Sequence, residues 1–201
     1  MSEIVTFINS KGGQGKTTLA VNYALYNNCH YHTNDYLVTS ALFKAYFPDN
    51  FFHEITPNMV QMEMDGEVDA VIDFGGYIDN KMPDIIKASK LCVIPIYYLS
   101  QSDLLTLHMI LEQIARINNN IAIVINNTSP SFIAPLSEAL KRDYQYEIKI
   151  IKPSSYMTYL VNHGLTPFNI RDMKGAAKKP LEQLRAQLTE LFSFINEYQP
   201  H

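Results

Sequence analysis

The apolar run Ile4-Val5-Thr6-Phe7-Ile8 leads straight into Ser10-Lys11-Gly12-Gly13-Gln14-Gly15-Lys16-Thr17-Thr18, and a helical pattern follows. No other feature constrains the chain as much. Glycines let the backbone curl so that its N–H groups point inward at an anion. The N-terminus of the next helix adds partial positive charge at the same place. Strand, glycine-rich loop, Lys-Thr and helix together read as a phosphate-binding loop, where an ordinary glycine-rich turn would require only the glycines. Lys16 is placed to reach the β- and γ-phosphates of a nucleotide, Thr17 to ligate Mg²⁺, and Thr18 to contact the α-phosphate.

Short apolar runs and helical patterns alternate along the rest of the chain. Asp69 to Asp73, Leu91 to Tyr97, Ile121 to Ile125 and Tyr146 to Ile151 read as strands, and His30 to Asp35 as a weak, short one. Thr17 to Tyr26, Asp103 to Ile117 (with Ser102 placed to cap it), Ser131 to Lys141 and Lys178 to Tyr198 read as helices. The last carries Leu181, Leu184, Leu188, Leu191 and Ile195 on one face. Alternation of this kind implies crossover units and an α/β fold: a twisted, mainly parallel sheet with helices on both faces, in three layers. Strands such as Ile121 to Ile125 are apolar throughout, as buried parallel strands are. Ligands in such folds sit at the carboxyl ends of the strands.

With 201 residues, 47% of them hydrophobic, the chain suits one domain over 1–201 with a sizeable core. No apolar run approaches the roughly 20 residues of a membrane span. Met1-Ser2-Glu3-Ile4 has no basic stretch ahead of an apolar one, so no signal peptide is expected. Cys29 and Cys92 are too few and too far apart for a disulfide framework, which fits a reducing cytoplasm. Neither has a metal-ligating neighbour, and His30 and His32 flank nothing else that chelates, so no zinc site is expected. Charge is uneven: residues 1–140 hold 7 Lys+Arg against 14 Asp+Glu, and residues 141–201 hold 9 against 6. A basic last third hints at a polyanionic partner, and a solvated surface would look the same.

Ser10 stands where an ordinary P-loop has its first glycine, and Lys11 follows it. This spelling resembles the deviant Walker A motif of the ParA/MinD family of ATPases, and downstream motifs appear in family order. The resemblance implies an ATP-sandwich homodimer with Mg²⁺, and slow ATP hydrolysis. It also implies that Lys11 reaches the partner subunit's ATP. Asp73 closes a strand ahead of Phe74-Gly75-Gly76, which resembles the family's Walker B and switch II, with Asp73 holding Mg²⁺ through a water. Thr33-Asn34-Asp35-Tyr36 resembles Asp-x-Asp-Pro with two departures. Asp35 matches the aspartate that orients the attacking water. Asn126, after one strand, and Pro153, after the next, match places that hold adenine, and Asn126 offers the donor and acceptor that a purine edge requires. The Met59, Met62 and Met64 cluster reads as irregular core.

Several uses of such a switch fit. One is a ParA-type plasmid-partition or cargo-positioning ATPase, cytoplasmic and nucleoid- or plasmid-associated. It would bind DNA non-specifically as an ATP dimer, and a ParB-like or other adaptor protein would stimulate hydrolysis. A MinD-like membrane-associated ATPase fits less well, since the last helix carries Glu182, Glu190 and Glu197 and only Arg185 after Lys179. A conjugation or plasmid-stability accessory role is a further alternative. The iron-protein branch would need cluster cysteines near the switches, which Cys29 and Cys92 do not offer, so it is not expected. With the first strand at the start of the chain, no N-terminal helix-turn-helix and no operator binding are expected. Arg171, Lys174, Lys178, Lys179 and Arg185 are the expected DNA contacts.

Overall fold

The computed structural model describes residues 3–55, 69–75, 82–168, 170 and 178–200. Among the described residues seven strands form one sheet: β1 Ile4–Ile8, β2 His30–Thr33, β3 Phe52–Glu54, β4 Ala70–Phe74, β5 Leu91–Ile96, β6 Ile121–Asn126 and β7 Glu147–Ile151. Their order is β3-β2-β4-β1-β5-β6-β7, and every pairing is parallel. The described helices are α1 Lys16–Asn27, α2 Tyr36–Phe43, α3 Met82–Ala88, α4 Gln101–Ala115, α5 Pro130–Asp143, α6 Ser155–Asn162 and α7 Lys178–Glu197.

Side chains alternate across the strands, so the sheet feeds two cores. Val5 and Phe7 of β1 pack with Leu19 and Ala20 of α1 and the apolar face of α7. Ile8, Ile72 and Ile94 face the other way, towards Ile85 of α3, Leu107 and Leu111 of α4, and Leu136 of α5. In α7, Leu181, Leu184, Leu188, Leu191, Phe192 and Ile195 are all buried. Each such side chain contributes about 1.5–3 kcal/mol on burial, so this helix is anchored as a core element.

Differences from the sequence reading are local. Strand β3 was not expected, because three residues carry no periodicity. Its pairing with β2 comes from register alone, with Tyr31 opposite Phe52. The cap of α4 is Ser100, not Ser102: the Asp103 carboxylate turns back and accepts the N–H groups of Leu99 at 2.9 Å and Ser100 at 2.8 Å. Met59, Met62 and Met64 lie outside the described residues, as do Gly76, Arg171 and Lys174.

Candidate phosphate-binding site

The loop between β1 and α1 sits at the carboxyl edge of the sheet, where the central strands β4, β1 and β5 end. Gly13 (φ 77°) and Gly15 (φ 90°) both occupy the left-handed region that favours glycine. Gly15 is doubly constrained, since a Cβ there would lie 2.1 Å from Asn126 Nδ2.

Three buried amide side chains brace the loop, a task the sequence reading assigned to none of them. Asn9 donates to the Pro95 carbonyl at 2.8 Å and accepts the Lys11 N–H at 2.9 Å. Gln14 accepts the Tyr97 N–H at 2.7 Å. Asn126 donates to the Gln14 carbonyl at 3.0 Å. Asn126 was expected to hold adenine. It borders the cavity beside the loop, and one N–H of its amide braces the P-loop while the second N–H and Oδ1 are not used in that bond. Its position just past the apolar strand was legible; the partner 112 residues away was not.

That cavity, about 180 Å³, is bounded by Gly13, Gly15 and Thr18 on one side and by Met157 and Val161 of α6 on the other. It is smaller than the roughly 300–1,000 Å³ that encloses a whole drug-sized ligand, so it suits a base with its phosphates lying on the loop. Pro153 was expected here. It is exposed and flanked by the lining residues Lys152 and Ser154 without being one.

Lys16 is only 6% exposed. Its Nζ donates to the Lys11 carbonyl at 3.2 Å, across the mouth of the loop. Burial pushes the ammonium's pKa down, and the charges of Asp73 and Asp35 oppose that shift. Asp73, at the end of β4, is fully buried. Its Oδ2 accepts the Tyr31 hydroxyl at 2.8 Å, while among the described residues its Oδ1 has no partner of good hydrogen-bond geometry. Desolvation pushes the carboxyl's pKa up, opposed by the hydroxyls of Thr17 and Tyr31 and by Lys16. A buried carboxylate oxygen without such a partner, beside the Thr17 hydroxyl, is a donor set that fits a hydrated hard cation such as Mg²⁺.

Lys11 points elsewhere. Its side chain is 38% exposed and its Nζ is paired with Asp103 of α4, with Ser102 Oγ at 3.3 Å. Burial works to raise the Asp103 pKa, but the hydrogen bonds from Lys11 and from the backbone of Leu99 and Ser100 prevail and hold it at about 2. Asp103, read from the sequence as the start of a helix, thus has a second partner in Lys11. Ser10, before this lysine, is exposed, as are Gly12 and Gly13, while Thr17 and Thr18 are partly buried at the start of α1.

The segment after β2 reaches the same edge. Asn34 donates to the Gly75 carbonyl at 3.1 Å and accepts its N–H at 2.6 Å, clasping the turn after Asp73. Asp35 lies beside it: a Cβ on Gly75 would stand 3.2 Å from Asp35 Cβ. Sequence reasoning found Asp35 and passed over its neighbour Asn34. The structure thus brings Lys16, Thr17, Asp73 and Asp35 to one place.

No protein-family model matches the chain, and no curated protein does. Solved structures do. A plasmid partition protein from Borrelia burgdorferi bound to AMPPNP is 15% identical, with 95% of this chain and 100% of that one covered at a TM-score of 0.58. MinD in the MinC:MinD cell division complex of Aquifex aeolicus is 14% identical, with coverage of 100% and 98% at a TM-score of 0.62. The chain has the ParA/MinD ATPase fold. A third structure of this fold, the pnob8 ParA, is 13% identical and superposes over 97% of both chains at a TM-score of 0.62. At such identities the ParA/MinD likeness is one of fold, and the site must be argued from its own residues.

One pH prediction arises from Asp73. A carboxyl whose folded pKa lies above its ordinary 3.8 binds more protons folded than unfolded. It therefore costs the fold stability as pH rises through the window above that value. Asp73→Asn should raise the melting temperature of the nucleotide-free protein at neutral pH, and the gain should vanish below about pH 4. Thermal unfolding across pH checks this; a gain of equal size at every pH would contradict it.

Proposed function

We propose that this chain is an ATP-switched dimeric ATPase that positions DNA or another cargo, binding duplex DNA without sequence preference in its ATP state. The observation that carries the reading is the pair of lysines. Lys16 is buried inside the loop with two carboxylates. Lys11 stands at its rim, partly exposed, held by an aspartate from which an incoming phosphate can draw it. A cation facing outward from a phosphate site is suited to a nucleotide held by a second copy of the chain, and that would tie dimerisation to nucleotide charge.

In this reading the loop's N–H groups and Lys16 bind the phosphates of ATP, with Ser10, Gly12, Gly13, Gln14, Gly15 and Thr18 shaping the cradle. Thr17 and Asp73 would hold Mg²⁺, which when bound would supply charge neutralisation at the phosphates. Asp35 orients the water whose oxygen attacks the γ-phosphorus as the bond to the bridging oxygen breaks, giving ADP and phosphate. Asn34 ties that carboxylate's segment to Gly75, so departure of the γ-phosphate can be felt on both sides. A ParB-like or other adaptor protein would stimulate this step.

Lys11→Ala should leave ADP binding within about threefold of the parent. It should weaken ATP-dependent dimers by roughly 10-fold or more, the worth of one charge-assisted contact. Light scattering with ATP and with ADP measures both. A variant that dimerises with ATP like the parent would remove Lys11 from the interface.

The DNA surface is narrower than the sequence suggested. Arg185, an expected phosphate contact, donates from Nε to the Pro167 carbonyl at 2.7 Å and from Nη2 to the Ile170 carbonyl. Its guanidinium ties that loop to α7, which corrects the expectation. Lys178 is exposed and only loosely paired with Glu182 at 3.7 Å, and Lys179 is exposed. The buried apolar face of α7 supports DNA over a membrane surface, and no described helix is long and apolar enough to cross a membrane.

A dimer doubles each protomer's cations on one rigid body, so avidity raises affinity far more than twofold. If a dimer neutralises roughly four to eight phosphates, log K should fall with log salt at a slope of about −4 to −7. Changing Lys178 and Lys179 together to Ala should lower affinity alike for all sequences, flatten that slope and leave dimerisation unaltered. Co-sedimentation with DNA and with anionic vesicles, each with ATP and with ADP, is the test. ATP-dependent capture by vesicles alone would replace the DNA reading with a membrane one.

A further inference from the structure

Parallel register brings together three histidines that the sequence keeps apart. His30 and His32 are two residues apart on β2 and so share one face of the sheet. His53 on β3 is registered directly opposite His32. The nitrogens these three rings offer all lie within 4.8 Å of one another. His30 Nδ1 and His53 Nε2 are 2.9 Å apart, and the rings of His32 and His53 stack with centroids at 4.6 Å. This overturns the expectation that His30 and His32 have no chelating neighbour: the third member arrives through strand pairing, 21 positions along the chain from His32.

Such positions are unusual places for imidazoles. Parallel strands covered on both faces are ordinarily aliphatic there. His32 pairs with Ile72 of β4 and is itself only 1% exposed. Desolvation lowers the pKa of all three rings. That of His32 falls to about 3, with the charges of His53 and His30 adding to the effect. At neutral pH the rings are uncharged, the form that ligates a metal.

We propose that His30, His32 and His53 form a site for one borderline divalent transition-metal ion, Zn²⁺ foremost, separate from the Mg²⁺ site of the phosphate loop. Three imidazole nitrogens without a carboxylate suit Zn²⁺, Cu²⁺ or Ni²⁺ and are poor ligands for Mg²⁺ or Ca²⁺, which prefer oxygen. Three histidines also leave a fourth tetrahedral position for water. Zn–N bonds of about 2.0–2.1 Å put tetrahedral nitrogens roughly 3.3–3.4 Å apart, within the spread of the present spacings. His32 fixes one corner by its burial, while the partly exposed His30 and His53 turn about their side-chain torsions to converge. The consequence is local. Strand β3 is a three-residue edge strand, and a bound ion would pin it to β2. Strand β2 runs on into Thr33-Asn34-Asp35, so the ion would stiffen the support of that segment without touching nucleotide.

The test uses the full chain without an affinity tag, stripped by chelator and titrated with Zn²⁺ by calorimetry and with Co²⁺ by absorption. One ion per chain and the intense visible bands of four-coordinate Co²⁺ are expected, both indifferent to millimolar Mg²⁺. His53→Gln, on the edge strand, should weaken Zn²⁺ at least as much as the roughly 10–100-fold lost when only a ligand's outer partner is removed. His30→Gln should do the same, and it serves as the second variant if circular dichroism shows His53→Gln to be unfolded. Absence of stoichiometric binding in the parent, binding unchanged in a folded variant, or displacement by Mg²⁺ would overturn the site.

Discussion

Lys16→Ala is expected to abolish measurable ATP binding. The ammonium sits inside the loop, 6% exposed, under the charges of Asp73 and Asp35. A bound triphosphate would add a third and larger negative partner in the same desolvated place. Truncating one member of a buried charge pair costs about 2–5 kcal/mol, which is roughly 30- to 5,000-fold in affinity. Among the described residues the Nζ makes one long hydrogen bond, to the Lys11 carbonyl, so the fold should survive its loss. Circular dichroism would establish that, and a nucleotide titration would then read the site itself. Unchanged ATP affinity in a folded Lys16→Ala protein would refute the phosphate site and every role built on it.

Much of the fold was legible because it rests on local patterns. Strands β1, β4, β5 and β6 are apolar runs bounded by turn residues, and α4 and α7 repeat leucine and isoleucine at helical spacing. The phosphate loop was legible because its chemistry is contiguous in sequence. What was missed is carried by pairs distant along the chain. Lys11 meets Asp103 across 92 positions, and Asn34 meets Gly75 across 41. Asn9 and Gln14 look like ordinary polar loop residues until β5 is placed beside β1. Arg185 counted as a free cation because charge is visible in a sequence and backbone carbonyl partners are not. Helix α2 was hidden for another reason: it follows Asp35 at once, and its exposed Leu37 and Val38 break the one-sided pattern a core-packing helix would show.

The same segment carries the sharpest test of the timer. Asp35→Ala should keep ATP binding within about threefold and keep ATP-dependent dimers, yet slow turnover by roughly 10²- to 10⁴-fold, the range for a positioned proton acceptor or water-orienting group. The geometry separates this outcome from a structural one. Asp35 is the residue before α2, but its carboxylate makes no capping hydrogen bond there, so its removal takes no cap from the helix. Its N–H is held by Thr33 Oγ1 at 3.0 Å, a contact that survives the substitution. What disappears is a negative charge near Lys16 and Asp73, on the side of Gly75 where the turn after β4 approaches. Asn34 keeps its double hydrogen bond to Gly75, so the segment stays in place while the carboxylate is gone. A single-turnover experiment with pre-formed ATP dimers reads the chemical step alone. Normal turnover there would make Asp35 a turn residue and leave the attacking water to another group, because the binding machinery of Lys16 and Thr17 is untouched by the change.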